Sequence, residues 1–427
     1  MLENLAPIKK NSAPIFEWIV AVFAALVQQG AFVSIPLFIG NHTLLIREDQ
    51  NATNTIAVAF SLISILYVTI RNSAVVLRII SQNSLSLLYV ILIFASLLWS
   101  IHPDVSLRRG IGYVLTMLVA VFLSSRFDLN ERMRVLSLSF AISAIGSILF
   151  IAIYPADGIM SIAELSGNWR GVFPHKNVLG PTMAVAVFVE LFLISHQGTS
   201  ATRLLLLALF VFLVAMSHST TAFFLTAMYI LGAAVLAIRN LSRLAAAVIT
   251  IMVATIAMMI AISFYFDPVY FLDLLGKDST LTGRTQIWAN VLPLVSERPL
   301  LGYGYRAAWV LNDSSTIRVD NATGGWGVEN SHNSFIELAL QLGFIGLALI
   351  LLIVLVGLFR AFRCSMLNSE TLGIYALLFF GAILISGQTM ETLGQNQVIE
   401  WLVFNVLLFS CGAVLHDLSP IERRVVL

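Results

Sequence analysis

The feature that most limits the fold of this chain is an apolar run of about 20 residues that recurs along its length. A helix of that length spans the hydrocarbon core of a membrane. Of the 427 residues, 59% are hydrophobic and 11% are charged, and so apolar a surface would precipitate from water. The sequence shows no sustained alternation of the kind found in outer-membrane barrels. It therefore predicts an all-α integral membrane protein.

We predict about twelve transmembrane helices. The first apolar run follows Lys9 and Lys10 and is too long for the core of a signal peptide, so we expect it to remain as a span. Cys364 and Cys411 show no pattern of a disulfide or a metal site. The expected spans cover residues 15–39, 55–70, 85–101, 110–123, 135–153, 178–195, 204–216, 221–238, 244–266, 334–359, 372–386 and 398–415.

The distribution of Lys and Arg predicts the orientation. With a cytoplasmic N-terminus, 14 of the 24 Lys and Arg residues lie on the cytoplasmic side and ten on the outer side. Five of those ten lie in one long loop, where the positive-inside rule counts little, so the short loops carry 14 inside against five outside. We therefore expect both termini in the cytoplasm. The net charge of +1 gives no reason to expect a nucleic acid partner.

A long outer segment divides the chain. Residues 1–266 contain the first nine predicted helices, residues 267–333 form the loop, and residues 334–427 contain the last three helices. A loop of this length in a compact protein is typical of a functional or a disordered segment. Its aromatic residues and a helical stretch favour a folded one.

The helical stretch in the loop covers residues 285–297. It places Ile287, Val291 and Val295 on one stripe, which predicts an amphipathic helix. We expect such a helix to lie on the membrane surface. Pro293 is expected to kink or shorten it.

The loop ends at a histidine that precedes a helix. Ser334 and Glu337 have the spacing of a capping box, which predicts Ser334 as the N-cap. His332 and Asn333 then lie just outside the first turn, near the positive end of the helix dipole. We expect a lowered pKa for this histidine, so that its neutral ring can take a proton from an acceptor hydroxyl. The alternative is that His332 is only part of an interfacial helix start.

Three groups of cations lie on the predicted outer side. Arg170, His175 and Lys176 precede the sixth span, Arg284 opens the amphipathic helix, and Arg306 ends a Gly-Tyr-Gly-Tyr-Arg run. A guanidinium offers a fork of donors that fits phosphate oxygens in pairs. The alternative is binding of ordinary anionic phospholipid. The sequence has neither an Asp-x-Asp pair nor a Walker loop, so we expect chemistry without metal, cofactor or nucleotide.

Taken together, these blocks resemble the O-antigen ligase and polymerase family, which includes the exopolysaccharide-production polymerases. The order and spacing of the blocks carry the resemblance, which covers most of the chain. The matching blocks are His332-Asn333 followed by nine residues and Gly343-x-x-Gly346, Gly283-Arg284 before Trp288, Pro299 to Gly304 (PLLGYG), Arg170-Gly171 before His175 to Asn177, and Trp99 to Pro103 (WSIHP) leading into Ser106 to Arg109.

The resemblance implies transfer of a glycan from undecaprenyl pyrophosphate to an acceptor sugar, without metal, at the periplasmic face of the bacterial inner membrane. Arg170 and Arg284 match the arginines that hold the donor pyrophosphate, and His332 matches the proposed base. Relatives carry a basic residue in the hairpin after the seventh span, where this chain has only His218. Arg306 or Lys176 could replace it, and Arg306 is counted with the donor-binding residues. Supporting roles fall to His175, Lys176, Asn177, Asn333 and Glu337.

Several functions stay open at this stage. The favoured one is an inverting glycosyltransferase that polymerises exopolysaccharide repeat units. A ligase that transfers glycan to the lipid A core is the alternative within the family, and a lipid-glycan flippase or transporter is the alternative from another class. The expected partners are the lipid-linked oligosaccharide donor, a glycan acceptor and the bilayer. Candidate protein partners are a chain-length regulator and a repeat-unit flippase.

Overall fold

The computed structural model describes residues 13–32, 59, 61–63, 65–66, 73–161, 165–238, 284–310, 328–367 and 370–417. In this part the chain is helical, apart from an isolated bridge between Ile159 and Trp169. The helices of ten or more residues are α1 Ile15–Gln28, α2 Ser73–Gln82, α3 Ser84–Ala95, α4 Pro103–Arg126, α5 Leu129–Ile153, α6 Lys176–Gln197, α7 Ala201–Ser217, α8 Thr220–Ile238, α9 Arg284–Glu297, α10 Ser334–Ser365, α11 Glu370–Ser386 and α12 Ile399–His416.

Several of these helices suit a membrane. Helices α4, α5, α6, α8, α10 and α12 are long and apolar enough to cross one, and the α2–α3 pair, bent by 87°, is a further candidate. The chain is therefore a multi-pass membrane protein. The count of twelve spans stays a prediction, because the ninth span (244–266), most of the second (55–70) and much of the loop lie outside the described residues.

Several predicted spans had wrong limits, and α2 lies outside every predicted span. Helix α1 ends at Gln28, not near residue 39, and Gly30 and Phe32 then take positive φ angles of 65° and 66°. The Gln28 side chain is buried and accepts a hydrogen bond from Thr116 Oγ1 at 2.7 Å. The fourth span is longer than predicted, because α4 begins at Pro103, a residue favoured in the first turn of a helix.

The large core surrounds helix α6. Its neighbours are α5, α7, α8 and α11, while α10 packs on α3, α11 and α12, and α12 packs on α4. Large apolar side chains fill the spaces between these helices. Helices α6 and α10 begin at one end of the bundle. Hydrogen bonds connect their first residues to the α7–α8 hairpin and to the α11–α12 connection. We call this end of the bundle the site end.

A second, smaller core lies at the site end. It joins α9 (Ile287, Val291, Leu294 and Val295) to Tyr303, Trp309 and the first turns of α10. The predicted amphipathic helix is thereby confirmed. It runs through Pro293 to Glu297, so the proline does not shorten it. Its apolar stripe packs on protein.

Helix α10 is broken at Gly343, where φ is 65° and ψ is −171°. The segment 299–304 lies against the break. Tyr303 N and Gly304 N donate to the carbonyls of Leu340 and Gln341 at 3.0 and 2.9 Å, and Phe344 N donates to Pro299 O at 2.7 Å. The first part of α10 therefore belongs to the smaller core. The remaining 22 residues, 344–365, are about 33 Å long, enough to span the hydrocarbon layer.

Candidate active site

The first part of the site is the segment that leads into α6. Arg170 Nε donates to the carbonyl of Asp157 at 2.6 Å, and Trp169 N donates to Met216 O at 3.0 Å. Gly171 has a φ of 58°, and a Cβ there would lie 2.4 Å from the side chain of Ser147. Close packing of this glycine therefore fixes the backbone beside Arg170. Burial lowers the pKa of Arg170 from its ordinary value, and Asp157 opposes that shift.

His175 is the N-cap of α6. Its Nδ1 accepts a hydrogen bond from the backbone N of Asn177 at 3.0 Å, so the proton of the neutral ring must lie on Nε2. The pKa of His175 is lowered to about 4, chiefly by burial and then by the charges of Lys176 and Arg170. The ring is therefore a hydrogen-bond donor toward the site. It lacks a free nitrogen that could act as a base.

Lys176 follows as the first residue of α6. Its side chain is buried, and Nζ donates to the carbonyl of His218 at 3.3 Å. His218 lies in the α7–α8 hairpin, where the family resemblance leads one to expect a cation. A cation in the first turn of a helix opposes the helix dipole, which an anionic ligand would offset. Of the two predicted replacements, Lys176 is the one that the structure places at this hairpin.

The loop before α10 carries His332 in a left-handed conformation, with φ at 50°. Its backbone N donates to Asn330 Oδ1 at 2.9 Å. The pKa of His332 is lowered to about 4, chiefly by burial and then by Arg284 and His175. The direction of this shift agrees with the neutral ring that the sequence predicts, whereas the prediction had rested on the helix dipole as its cause.

The predicted capping box at the start of α10 is wrong. Asn333 is the N-cap, and its Oδ1 accepts from Phe335 N and Ile336 N at 2.9 and 3.2 Å. Its Nδ2 donates to Gln388 O in the α11–α12 connection at 3.2 Å. The Ser334 hydroxyl also faces this connection and donates to Met390 O at 2.7 Å. It is therefore engaged in a tertiary contact and does not cap the helix.

Glu337 is buried beside the histidine loop. One carboxylate oxygen accepts from Trp309 Nε1 and Gln341 Nε2, each at 2.7 Å, and the other accepts from Ser331 N at 2.9 Å. This carboxylate therefore binds the backbone one residue before His332. It does not reach back to the helix start as a capping residue would.

Arg284 is the first described residue of α9. Burial lowers its pKa, and its charge acts on His332. His332 is coupled to His175, and His175 to Arg170 and Lys176. Three predicted blocks therefore lie within electrostatic range of one another at the site end, although they lie up to 162 residues apart in sequence, from Arg170 to His332. The potential there is positive, which suits an anionic ligand.

Arg306 lies in a different cluster. Its Nη1 donates to Glu391 Oε1 at 2.7 Å and to Gln395 Oε1 at 2.9 Å, and Arg109 Nη1 donates to the Arg306 carbonyl at 3.2 Å. The pKa of Glu391 is raised to about 7, because burial and, to a lesser extent, Glu337 raise it more than Arg306 lowers it. The structure thus places Arg306 beside the carboxylate of Glu391, which in turn is near the carboxylate of Glu337 under the histidine loop.

The sequence reasoning missed three contributors to the site. Glu391 and Asn330 carried no motif. The sequence placed Trp288 in the Gly283-Arg284 block of the resemblance without a contact, and in the structure its indole N donates to Ser331 O at 2.8 Å. Its spacing of four residues from Arg284 on one helix was the available signal, since residues so spaced lie on the same face.

Comparisons with known proteins identify the family. A family described as O-antigen ligase matches residues 204–351. The exopolysaccharide production protein ExoQ of Rhizobium meliloti is 31% identical over 313 residues, which cover 69% of this chain and 68% of ExoQ. The chain belongs to the O-antigen ligase and polymerase family. Membership identifies it as a membrane protein of the kind that processes glycans.

Proposed function

We propose that this family member is a glycosyltransferase of the bacterial inner membrane. Its donor is a glycan linked to undecaprenyl pyrophosphate, and its acceptor is a sugar hydroxyl at the periplasmic face. The observation that carries the proposal is the cluster of Arg170, Lys176 and Arg284 with two neutral histidines at one end of the bundle. Such a cluster combines an anion site with a base.

In the proposed reaction, Arg170 and Arg284 bind the pyrophosphate, whose negative charge grows as the glycosidic bond breaks. Fixed donors aimed at that charge stabilise the transition state by about 3–4 kcal/mol each. Lys176 and the Nε2–H of His175 supply further donors. These side chains take the part that a metal ion plays in other transferases, so the reaction needs no metal.

His332 acts as the general base. Its neutral ring takes the proton from the acceptor hydroxyl while the oxygen attacks the anomeric carbon. The pyrophosphate leaves from the opposite face, so the anomeric centre inverts. General base help of this kind is worth roughly a hundredfold to ten-thousandfold in rate.

The preferred product is a polymer of exopolysaccharide repeat units. ExoQ is named for exopolysaccharide production, which supports a polymerase over a ligase acting on the lipid A core. A chain-length regulator and a repeat-unit flippase would be its partners. The donor must reach the site from the periplasm, so a reporter placed after residue 427 should read cytoplasmic and one within 313–320 should read periplasmic. Opposite compartments would refute the orientation.

The central test is His332→Asn in purified protein. Asparagine is among the residues that tolerate the left-handed conformation seen here, so the backbone should be kept while the base is lost. We expect donor binding to persist and transfer to fall roughly a hundredfold or more. His218→Asn is the matched control, because His218 is also left-handed at φ 49° and its exposed ring bonds only locally to Met216 O.

The assay separates the alternatives. Lipid-linked donor is offered with either a second lipid-linked repeat unit or lipid A core, and donor binding is measured apart from product. Product with the first acceptor identifies a polymerase, and product with the second a ligase. A flippase would form neither product, and transfer by His332→Asn at the wild-type rate would remove His332 from the mechanism.

A further inference from the structure

The peptide unit just before His332 is fixed at both of its polar atoms. Trp288 Nε1 donates to its oxygen, Ser331 O, at 2.8 Å. Its nitrogen, His332 N, donates to Asn330 Oδ1 at 2.9 Å. The preceding peptide is fixed as well, because Ser331 N donates to the Glu337 carboxylate at 2.9 Å. Side chains therefore set the orientation of the backbone that carries the histidine.

This anchoring matters because His332 has a φ of 50°. Left-handed backbone is uncommon for residues other than glycine and persists where the surroundings determine it. A loop released from its anchors would relax toward the ordinary regions of backbone space. The ring would then move relative to the cations that flank it.

Trp288 also lies on the helix that carries Arg284. The two residues are four apart, so they share one face of α9. The apolar side chains Ile287, Val291 and Leu294 of α9 are buried in the smaller core with residues of α10, and the Trp288 ring packs against the same core. Helix α9 therefore carries both a predicted phosphate-binding cation and a direct anchor of the predicted base.

We propose that Trp288 is a positioning residue: its indole N–H, acting on Ser331 O, sets His332 in register with Arg284. The proposal rests on the proposed function and assigns Trp288 no contact with substrate. Its role is to fix the position of His332 relative to helix α9. A misplacement of about 1 Å between reacting groups lowers a rate by roughly a hundredfold.

The test is Trp288→Phe, which keeps an aromatic ring and removes the donor. Trp99→Phe is the matched control, since Trp99 Nε1 also donates to a backbone carbonyl, Leu301 O, at 2.9 Å, away from the histidine loop. We expect kcat of Trp288→Phe to fall roughly tenfold to a hundredfold with donor affinity retained. Trp99→Phe should keep kcat within about twofold.

A second measurement needs no turnover. Diethyl pyrocarbonate modifies neutral imidazole, and mass spectrometry reports modification of each histidine. In Trp288→Phe the released loop should expose His332 and raise its modification rate several-fold or more, while the rate at His218 stays unchanged. Asn330→Ala removes the bond at the other end of the same peptide and should have the same two effects, which guards against misfolding of one variant.

The outcomes are separable from those of the proposed function. If the wild-type protein forms no product, the proposed function fails, and the modification rates still decide whether Trp288 fixes the loop. If the wild type is active but Trp288→Phe matches Trp99→Phe in kcat, the positioning role is refuted. Equal modification of His332 in both tryptophan variants refutes it as well.

Discussion

Replacing Gly343 by alanine should be among the most damaging single-methyl additions in this protein. The new Cβ would lie 2.1 Å from the carbonyl carbon and oxygen of Leu300 and 2.5 Å from Leu301 N. Backbone cannot rotate away as a flexible side chain can, so segment 299–304 must move. Movement breaks the hydrogen bonds between this segment and the helix break.

The magnitude has two parts. A non-glycine residue at φ 65° and ψ −171° costs about 1–3 kcal/mol. Four backbone hydrogen bonds cross the contact, and each contributes about 0.5–1.5 kcal/mol. Partial loss of those bonds together with the backbone term gives a destabilisation of about 3–6 kcal/mol. Since residues 334–342 carry the histidine loop, transfer should fall too.

Two further alanine variants separate these parts. Gly198 has a similar conformation, φ 83° and ψ 170°, with nothing within 4 Å of the added Cβ, so Gly198→Ala reports the backbone term alone. Gly381 lies inside α11 with open space around it, where alanine should be neutral or stabilising by up to about 1 kcal/mol.

Thermal unfolding in one detergent at one scan rate ranks the three variants. The expected order of midpoints is Gly381→Ala highest, then Gly198→Ala, then Gly343→Ala. A midpoint for Gly343→Ala equal to that of Gly198→Ala would mean that the contact with residues 299–304 adds nothing. The steric argument would then be refuted.

Two other substitutions follow from the site. Arg284→Lys keeps the charge but loses the bidentate fork, so donor affinity should fall roughly tenfold or more. Arg298→Lys, at an exposed cation of the same outer segment, should change donor affinity little. Equal affinities of the two variants would mean that Arg284 only binds anionic lipid nonspecifically. In Glu337→Gln the new amide NH2 would face either Trp309 Nε1 or Ser331 N, both of which now donate to the carboxylate. One hydrogen bond would be lost, so transfer should drop and stability should fall by about 1–3 kcal/mol. Glu131→Gln, in the observed capping box with Asp128, should be silent, because glutamine also completes that box.

The contrast between Glu337 and Glu131 shows where sequence reasoning ends. Both residues stand three positions after a good capping residue, and local pattern treats them alike. At Glu131 solvent surrounds the helix start, so the local bonds form. At Glu337 stronger partners arrive from Trp309 and from the histidine loop, and Asn333 takes over the cap. Tertiary contacts that no local window contains decide the difference.

The break in α10 also depends on a tertiary contact that local sequence does not reveal. Apolar composition predicted the helices well, because burial and membrane thickness depend on residues close in sequence. In the sequence, Gly343 and Gly346 stood out only as the end of the His332 block of the resemblance. The partner of Gly343 is the backbone of residues 299–304, so two motifs that looked independent are two sides of one contact. Only the family resemblance predicted that Arg170 and His332 belong to one site, where the structure links them through His175.

The acidity of His332 offers a last test of the cluster. Its pKa of about 4 lies below the ordinary value for histidine, chiefly through burial and then through Arg284 and His175. The neutral ring should therefore be present above about pH 5 and be lost as pH falls through about 4. The rate of diethyl pyrocarbonate modification at His332 should follow that fraction and stay level between about pH 5 and 7.

Arg284→Gln removes one of the charges that lower this pKa, so the fall in modification should move to higher pH. Arg298→Gln should not move it, since Arg298 is exposed and stacks on Tyr303 at 4.7 Å. Glu391, whose pKa is raised to about 7, is unchanged in both variants, so the difference between them reports His332. A fall near pH 6.5 in the wild type, or the same profile in both variants, would mean that His332 and Arg284 do not share one site.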